Sequence, residues 1–256
     1  MTSTPVGMRC PECARQRTRV KHPGGVVSRT DAPFTFAIVA ICVAAFVAEL
    51  VAGGSNPLNG GGRLIADGGI YAAPVADGEY YRIVTYAFLH AGLLHIGFNL
   101  FALYVLGSLL EPVIGTIRFA GIYIVSILAG ALGSLVVDPN VVTVGASGGV
   151  FGIMVAAFLI ARDRGMDELA SQVGFFVVIN LVLTFTVSGI SVGGHIGGIV
   201  GGGLATFLIL ALDRSRVANA RTIEIAGMVV LGAVAIAGAV IVADANAPAA
   251  LPRAFG

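Results

Sequence analysis

A serine set among small residues, Gly145-Ala146-Ser147-Gly148, and a histidine preceded by glycines, Gly193-Gly194-His195, each open a long apolar run. A serine hydroxyl is a weak nucleophile until a neighbouring base takes its proton. His195 is the only histidine in the second half of the chain. The pair therefore suits acyl transfer, with Ser147 as nucleophile and His195 as general base. Gly145, Gly148 and Gly149 would let backbone and substrate approach closely. Asp163, Asp167 and Glu168 lie between the two in sequence but at the opposite ends of the apolar runs, and Asp138 is the one alternative acid. The pattern reads as a Ser–His dyad, recognised by role and not by a third acid. Acyl transfer also needs donors for the developing oxyanion. The Ser147 N–H would open a helix, where unpaired donors and the positive dipole end gather. His95 and Asn99 are four residues apart and share a helix face. A structural reading competes with this one. Gly148 and Gly152 form a small-xxx-small packing pair, and Asn99 could serve only as an interhelical hydrogen bond.

The elements that would position these residues are membrane helices. The chain has 256 residues, 57% hydrophobic and 11% charged, with a formal net charge of +1. Mean hydropathy is +0.93. A soluble domain carries about 25% charged residues. The composition predicts an integral membrane protein in contact with lipid and gives no basis for a nucleic-acid partner. At about 20 apolar residues per crossing, seven spans are predicted: Phe34–Ala52, Leu93–Leu110, Phe119–Val137, Ser147–Ala161, Val173–Val187, Val192–Leu212 and Ile223–Ala243. The fourth and fifth are short and carry Gly or Asn. The first follows a basic leader without a small-residue cleavage site, so it is read as a retained helix. The segment from Gly53 to Leu93 is long for a membrane loop and rich in Gly, Pro and aromatics (Tyr71, Tyr80, Tyr81, Tyr86, Phe88). It is expected to be an ordered interfacial structure.

Basic residues cluster on one side. With a cytoplasmic N-terminus, the inner segments hold Arg9, Arg15, Arg17, Arg19, Lys21, Arg29, Arg118, Arg162, Arg164, Arg214, Arg216 and Arg221, against Arg63, Arg82 and Arg253 outside. That bias predicts N-terminus in and C-terminus out, with the plasma membrane as the expected location. Segments two, four and six then all run inward, so His90, His95, Ser147 and His195 share one outer layer. Gly193/Gly197/Gly201 and Gly194/Gly198/Gly202 form two stripes on segment six that permit close backbone packing. Segment four is the expected partner, through Gly148 and Gly152, which would carry His195 to Ser147. Asn180 is expected to act as interhelical glue.

These residues resemble the rhomboid intramembrane serine proteases across roughly Phe34 to Leu212. The resemblance rests on an ordered set: Tyr81-Arg82 in the first loop, His90-(4)-His95-(3)-Asn99, Glu111 closing the second helix, Gly145-Ala146-Ser147-Gly148, and His195-Ile196-Gly197-Gly198. It implies an all-α polytopic membrane protein with a six-helix core over residues 34–212; the seventh span, within 213–256, lies beyond that core and makes a six-plus-one layout. It further implies that Ser147 attacks a peptide bond of a transmembrane protein and His195 is the base. His90 and Asn99, with the Ser147 N–H, would stabilise the oxyanion, with His95 and Gly145 supporting the site. Phe151 would pack on the base, while Arg82, Glu111 and Gly198 would serve structure. No cofactor is implied.

Residues 1–33 depart from the core pattern with Cys10-Pro-Glu-Cys13, half of a zinc knuckle, and His22 is the only other ligand nearby. Zinc sites usually take four ligands, so the pair is expected to be the remnant of a module or the end of one that starts upstream. Cys42 lies in an apolar run and reads as packing. Two other functions compete with this one. A catalytically inactive relative that binds or escorts membrane proteins would be expected to have lost one of Ser147, His195 or Asn99. A transporter would show inverted repeats and charges at mid-bilayer, and the sequence offers neither.

Overall fold

The computed structural model describes residues 2–4, 7–9, 32–52, 56–58, 60–215 and 217–247. Cys10, Cys13 and His22 lie outside the described residues. Two short strands, β1 (Thr2–Thr4) and β2 (Gly7–Arg9), pair antiparallel. The other described elements are a 3-10 turn at Tyr86–Phe88 and ten α-helices: α1 (Pro33–Val51), α2 (Arg63–Gly68), α3 (Ala72–Ala76), α4 (Arg82–Thr85), α5 (Leu93–Ile114), α6 (Thr116–Val137), α7 (Ser147–Asp163), α8 (Asp167–Thr186), α9 (Val192–Arg214) and α10 (Ala220–Asn246). The protein is an all-α polytopic membrane protein. All seven predicted spans form helices. Six are long and apolar enough to cross a membrane, the exception being α7.

That exception has a physical reason. At 1.5 Å per residue the 17-residue α7 covers about 25 Å, short of a hydrocarbon core of about 30 Å. Its interior residues from Gly148 to Met154 are buried throughout, so α7 stands inside the bundle and is shielded from lipid by its neighbours. The other expected short span is longer than its apolar stretch. α8 starts six residues before Val173, because Asp167 and Glu168 occupy its first turn, where acidic side chains favour the helix dipole. Asn180 differs from expectation too. Its amide donates to the Phe176 carbonyl of its own helix at 2.7 Å and, among the described residues, bridges no second helix.

The two glycine stripes of α9 face different helices. A Cβ on Gly198 would collide with the Gly148 carbonyl, and one on Gly202 with the Gly152 backbone, so this stripe packs on α7. A Cβ on Gly193 or Gly197 would collide with the Gly133 or Ala129 carbonyl, so the other stripe packs on α6. Segment four is the partner expected from the sequence, and α6 is a second one that the sequence does not mark. Backbone-to-backbone approach of this kind is how helices gain dispersion contacts when lipid removes the hydrophobic drive between them.

Polar anchors fix the two ends of the bundle. Glu111 is fully buried near the end of α5 and accepts from the Phe34 and Thr35 N–H groups at 3.0 and 2.8 Å, and from the Thr35 and Thr116 hydroxyls at 2.7 and 2.9 Å. It thus satisfies first-turn donors of α1 that would otherwise be orphaned in lipid. Arg118 on α6 pairs with Asp213 of α9 (2.6 Å) and with buried Glu224 of α10 (2.8 Å) at the same end. At the opposite end the long loop is folded. Arg82, 5% exposed, donates to the Ala66 and Gly69 carbonyls at 2.7 and 2.8 Å and pairs with Glu79 at 2.7 Å. Glu79 is held below the ordinary carboxylate value, first by the Tyr81 hydroxyl and then by Arg82. The Ile70–Thr143 bridge ties this loop to the segment that leads into α7.

Candidate active site

Ser147 is the first residue of α7 and is half-buried. Its N–H has no acceptor among the described residues, as the first turn of a helix dictates. The approach to it depends on Gly145, whose φ of +128° is open to glycine and strained for other residues. The Gly145 N–H donates to the Tyr86 carbonyl at 2.9 Å. The Tyr86 hydroxyl in turn donates to the Ile127 carbonyl at 2.5 Å, beside Gly130 and Gly148. The loop, α6 and the mouth of α7 are therefore pinned together around one tyrosine.

The histidine beside the serine is His95. A Cβ built on Gly145 would lie 2.8 Å from His95 Nε2 and 3.7 Å from Ser147 Oγ, so the missing side chain of Gly145 makes room for the imidazole. The Ala91 N–H donates to His95 Nδ1 at 3.2 Å. A neutral ring accepting at Nδ1 carries its proton on Nε2, the nitrogen that faces Gly145. The resemblance had put His90 in this place. His90 instead lies a layer behind, fully buried, with its ring 5.2 Å from that of His95. Its Nδ1 is 3.1 Å from the Phe88 carbonyl, and its N–H donates to Glu49 Oε1 at 3.1 Å. Burial, with His95 next to it, holds His90 at about 3, so its ring is neutral. Asn99 is buried one turn below His95, and its amide donates to the His95 carbonyl at 2.9 Å.

His195 sits in the first turn of α9, 8% exposed. Its ring lies against Phe151 of α7 at 4.2 Å between centroids and 33° between planes. Its Nδ1 is 2.7 Å from the Thr184 hydroxyl of α8. Ser191 caps the helix by accepting from the Gly194 N–H at 3.1 Å. Ser147 Oγ and His195 are not hydrogen-bonded to each other, a separation common in sites without substrate. Asp138, the alternative third group, is exposed at the end of α6. The group on Nδ1 is a threonine.

Three site-forming residues escaped the sequence reading in this role. In the sequence Tyr86 is one of several loop aromatics, Glu49 a carboxylate within the first apolar run and Thr184 a hydroxyl within the fifth. Their partners are 41, 41 and 11 residues away, so no local spacing could mark them.

A comparison with protein families matches a Rhomboid domain over residues 77–212, more than half of the chain. The chain belongs to the rhomboid family. The match runs from just before α4 to the end of α9 and leaves α1 and α10 outside it. Among similar proteins, Rhomboid protease GluP of Bacillus subtilis (strain 168) is 31% identical over 191 residues, covering 73% of this chain and 37% of that protein. Putative rhomboid protease YdcA of the same organism is 34% identical over 152 residues, 57% of this chain and 75% of that protein. Rhomboid-related protein 2 of Mus musculus is 39% identical over 106 residues, 41% of this chain and 35% of that protein. This rhomboid thus spans little more than a third of the length of the first of these relatives and three quarters of the second.

Proposed function

We propose that this protein is a serine endopeptidase that cuts transmembrane segments of membrane proteins. The observation that carries the reading is the convergence at the mouth of α7. A half-exposed serine hydroxyl, an unpaired N–H at a helix start and the Nε2 of His95 meet around Gly145. On α9, facing α7, sits a histidine stacked on Phe151. In the reaction Ser147 Oγ attacks the carbonyl carbon of the scissile bond while His195 Nε2 takes the hydroxyl proton. The oxyanion receives hydrogen bonds from the Ser147 N–H and from His95 Nε2–H, and Asn99 supports that donor through the His95 carbonyl. His195 then gives its proton to the departing amine, and water hydrolyses the acyl-enzyme by the same base. No cofactor enters these steps.

The substrate class follows from location. The site opens at one end of a bundle whose exposed side chains are large and apolar, Phe98, Phe101, Phe175, Phe176 and Phe207 among them. A transmembrane segment, single-pass or otherwise, reaches such a site through lipid. The proposed location is the plasma membrane, and the charge bias favours a cytoplasmic N-terminus, an outer C-terminus and a site on the outer side. The test is cleavage of a single-pass substrate by purified protein in detergent. Ser147→Ala and His195→Ala should each abolish cleavage, and a fluorophosphonate should label Ser147. Undiminished cleavage by Ser147→Ala would sink the proposal. A wild-type protein that neither cleaves nor takes the probe would favour a client-binding role.

A further inference from the structure

We infer that Thr184 is the positioning residue for His195, holding the imidazole in the tautomer that leaves Nε2 free to act as base. The inference rests on the serine protease reading above. The Thr184 hydroxyl has two partners, the Asn180 carbonyl at 2.7 Å and His195 Nδ1 at 2.7 Å. A carbonyl can only accept, so the single hydroxyl proton goes to Asn180. The oxygen lone pair is then what Nδ1 meets, and Nδ1 must carry the ring proton. The bond order is therefore Nδ1–H to Thr184 Oγ1 and Oγ1–H to Asn180 O. Nε2 of the neutral ring is left unprotonated. This is the work an aspartate does in a Ser–His–Asp triad, done here by a neutral hydroxyl.

The placement of Thr184 supports a dedicated role. α8 is the least buried of the long apolar helices, and Thr184 is one of only three of its residues that are buried, with Ala170 and Val173. A threonine bonded back to its own helix needs no second partner. Thr186, two residues on, shows that case, with its hydroxyl on the Val182 carbonyl at 2.8 Å and exposed. Thr184 is 2% exposed and turned inward onto His195. Phe151 fixes the ring from its face and Thr184 from its edge. Together they fix the ring's plane and its rotation.

The test compares Thr184→Val and Thr184→Ser with the wild type as full chains in detergent, on one single-pass substrate and one fluorophosphonate. Reversing the tautomer of a triad histidine costs about 10⁴ in kcat. Valine removes the acceptor without enforcing the wrong tautomer, so the loss should be smaller, roughly 10- to 100-fold in kcat, or about 1.4–2.7 kcal/mol at 1.36 per decade. KM should stay within about twofold, since uniform binding is untouched. Thr184→Ser restores the hydroxyl and should recover kcat to within about threefold. In ¹⁵N-histidine spectra, wild-type His195 should show a protonated Nδ1, and Thr184→Val should lose that signature. Wild-type kcat in Thr184→Val, or a protonated Nε2 in the neutral wild-type ring, overturns the assignment and leaves the protease reading standing. A wild type inert to both substrate and probe overturns the protease reading itself.

Discussion

Replacing Gly198 by alanine tests whether the glycine packing and the chemistry are one device. The added methyl group meets the carbonyl and Cα of Gly148, one residue after Ser147. Both sides of that contact are helix backbone, so no flexible side chain can yield. α7 and α9 must separate by roughly 1 Å to restore ordinary contact, and overpacking of this kind costs about 1–3 kcal/mol. The same separation carries His195, three residues before Gly198, away from Ser147. A 1 Å misplacement at a reacting pair can cost on the order of 10²-fold in rate. The expected outcome is a drop of that order in kcat with a lower apparent melting temperature, measured on a single-pass substrate in detergent. Gly97→Ala is the control, because a Cβ there meets nothing within 4 Å. It should keep wild-type activity and melt at or slightly above the wild-type temperature, since alanine is the better helix former. A Gly198→Ala protein that cleaves at the wild-type rate would refute the claim that this contact sets the dyad.

Glu111→Ala should lower the melting temperature, because it strands the Phe34 and Thr35 N–H groups in lipid; the loss is about 2 kcal/mol at the level of a buried, charge-assisted hydrogen bond, and an unchanged melting curve would contradict the anchoring role. The outer loop should loosen in acid. Glu79 is depressed below its ordinary 4.5, so its bonds to Tyr81 and Arg82 contribute fully above that value and are lost as pH falls through the lower folded one. Hydrogen exchange across residues 63–90 should therefore be flat from pH 7 to about 5 and rise below the ordinary carboxylate range. Glu79→Gln should remove the pH step, and a step that persists in it would place the titrating group elsewhere.

Much of this architecture was legible in one dimension. Span starts at Leu93, Ser147 and Val192 coincide with the observed helix starts, because an apolar run in lipid must close its own backbone hydrogen bonds and can do so only as a helix. The boundary that moved furthest, the start of α8, moved because acidic residues are favourable in a first helical turn. Asn99 and the His95 face were readable from 3.6-residue periodicity. The choice between His90 and His95 was not, since both flank the same helix start and only the fold shows which ring Gly145 makes room for.

The sequence by itself determined the class of molecule, the number and order of its long apolar helices and the residue types at the mouths of α5, α7 and α9. Length, hydropathy and helical period are local quantities, so they survive without a partner. Which hydroxyl meets His195 Nδ1 is a different kind of fact. Thr184 and Thr186 both bond back to their own helix, and nothing within α8 separates them. The azimuth of α8 against α9 turns one of them onto the base and the other outward. That azimuth is set by packing across helices, as are the split of the α9 glycine stripes between α6 and α7 and the seat of Tyr86 between loop and bundle. The tertiary structure alone decided those contacts, and in the proposed reaction they fix the proton on the base.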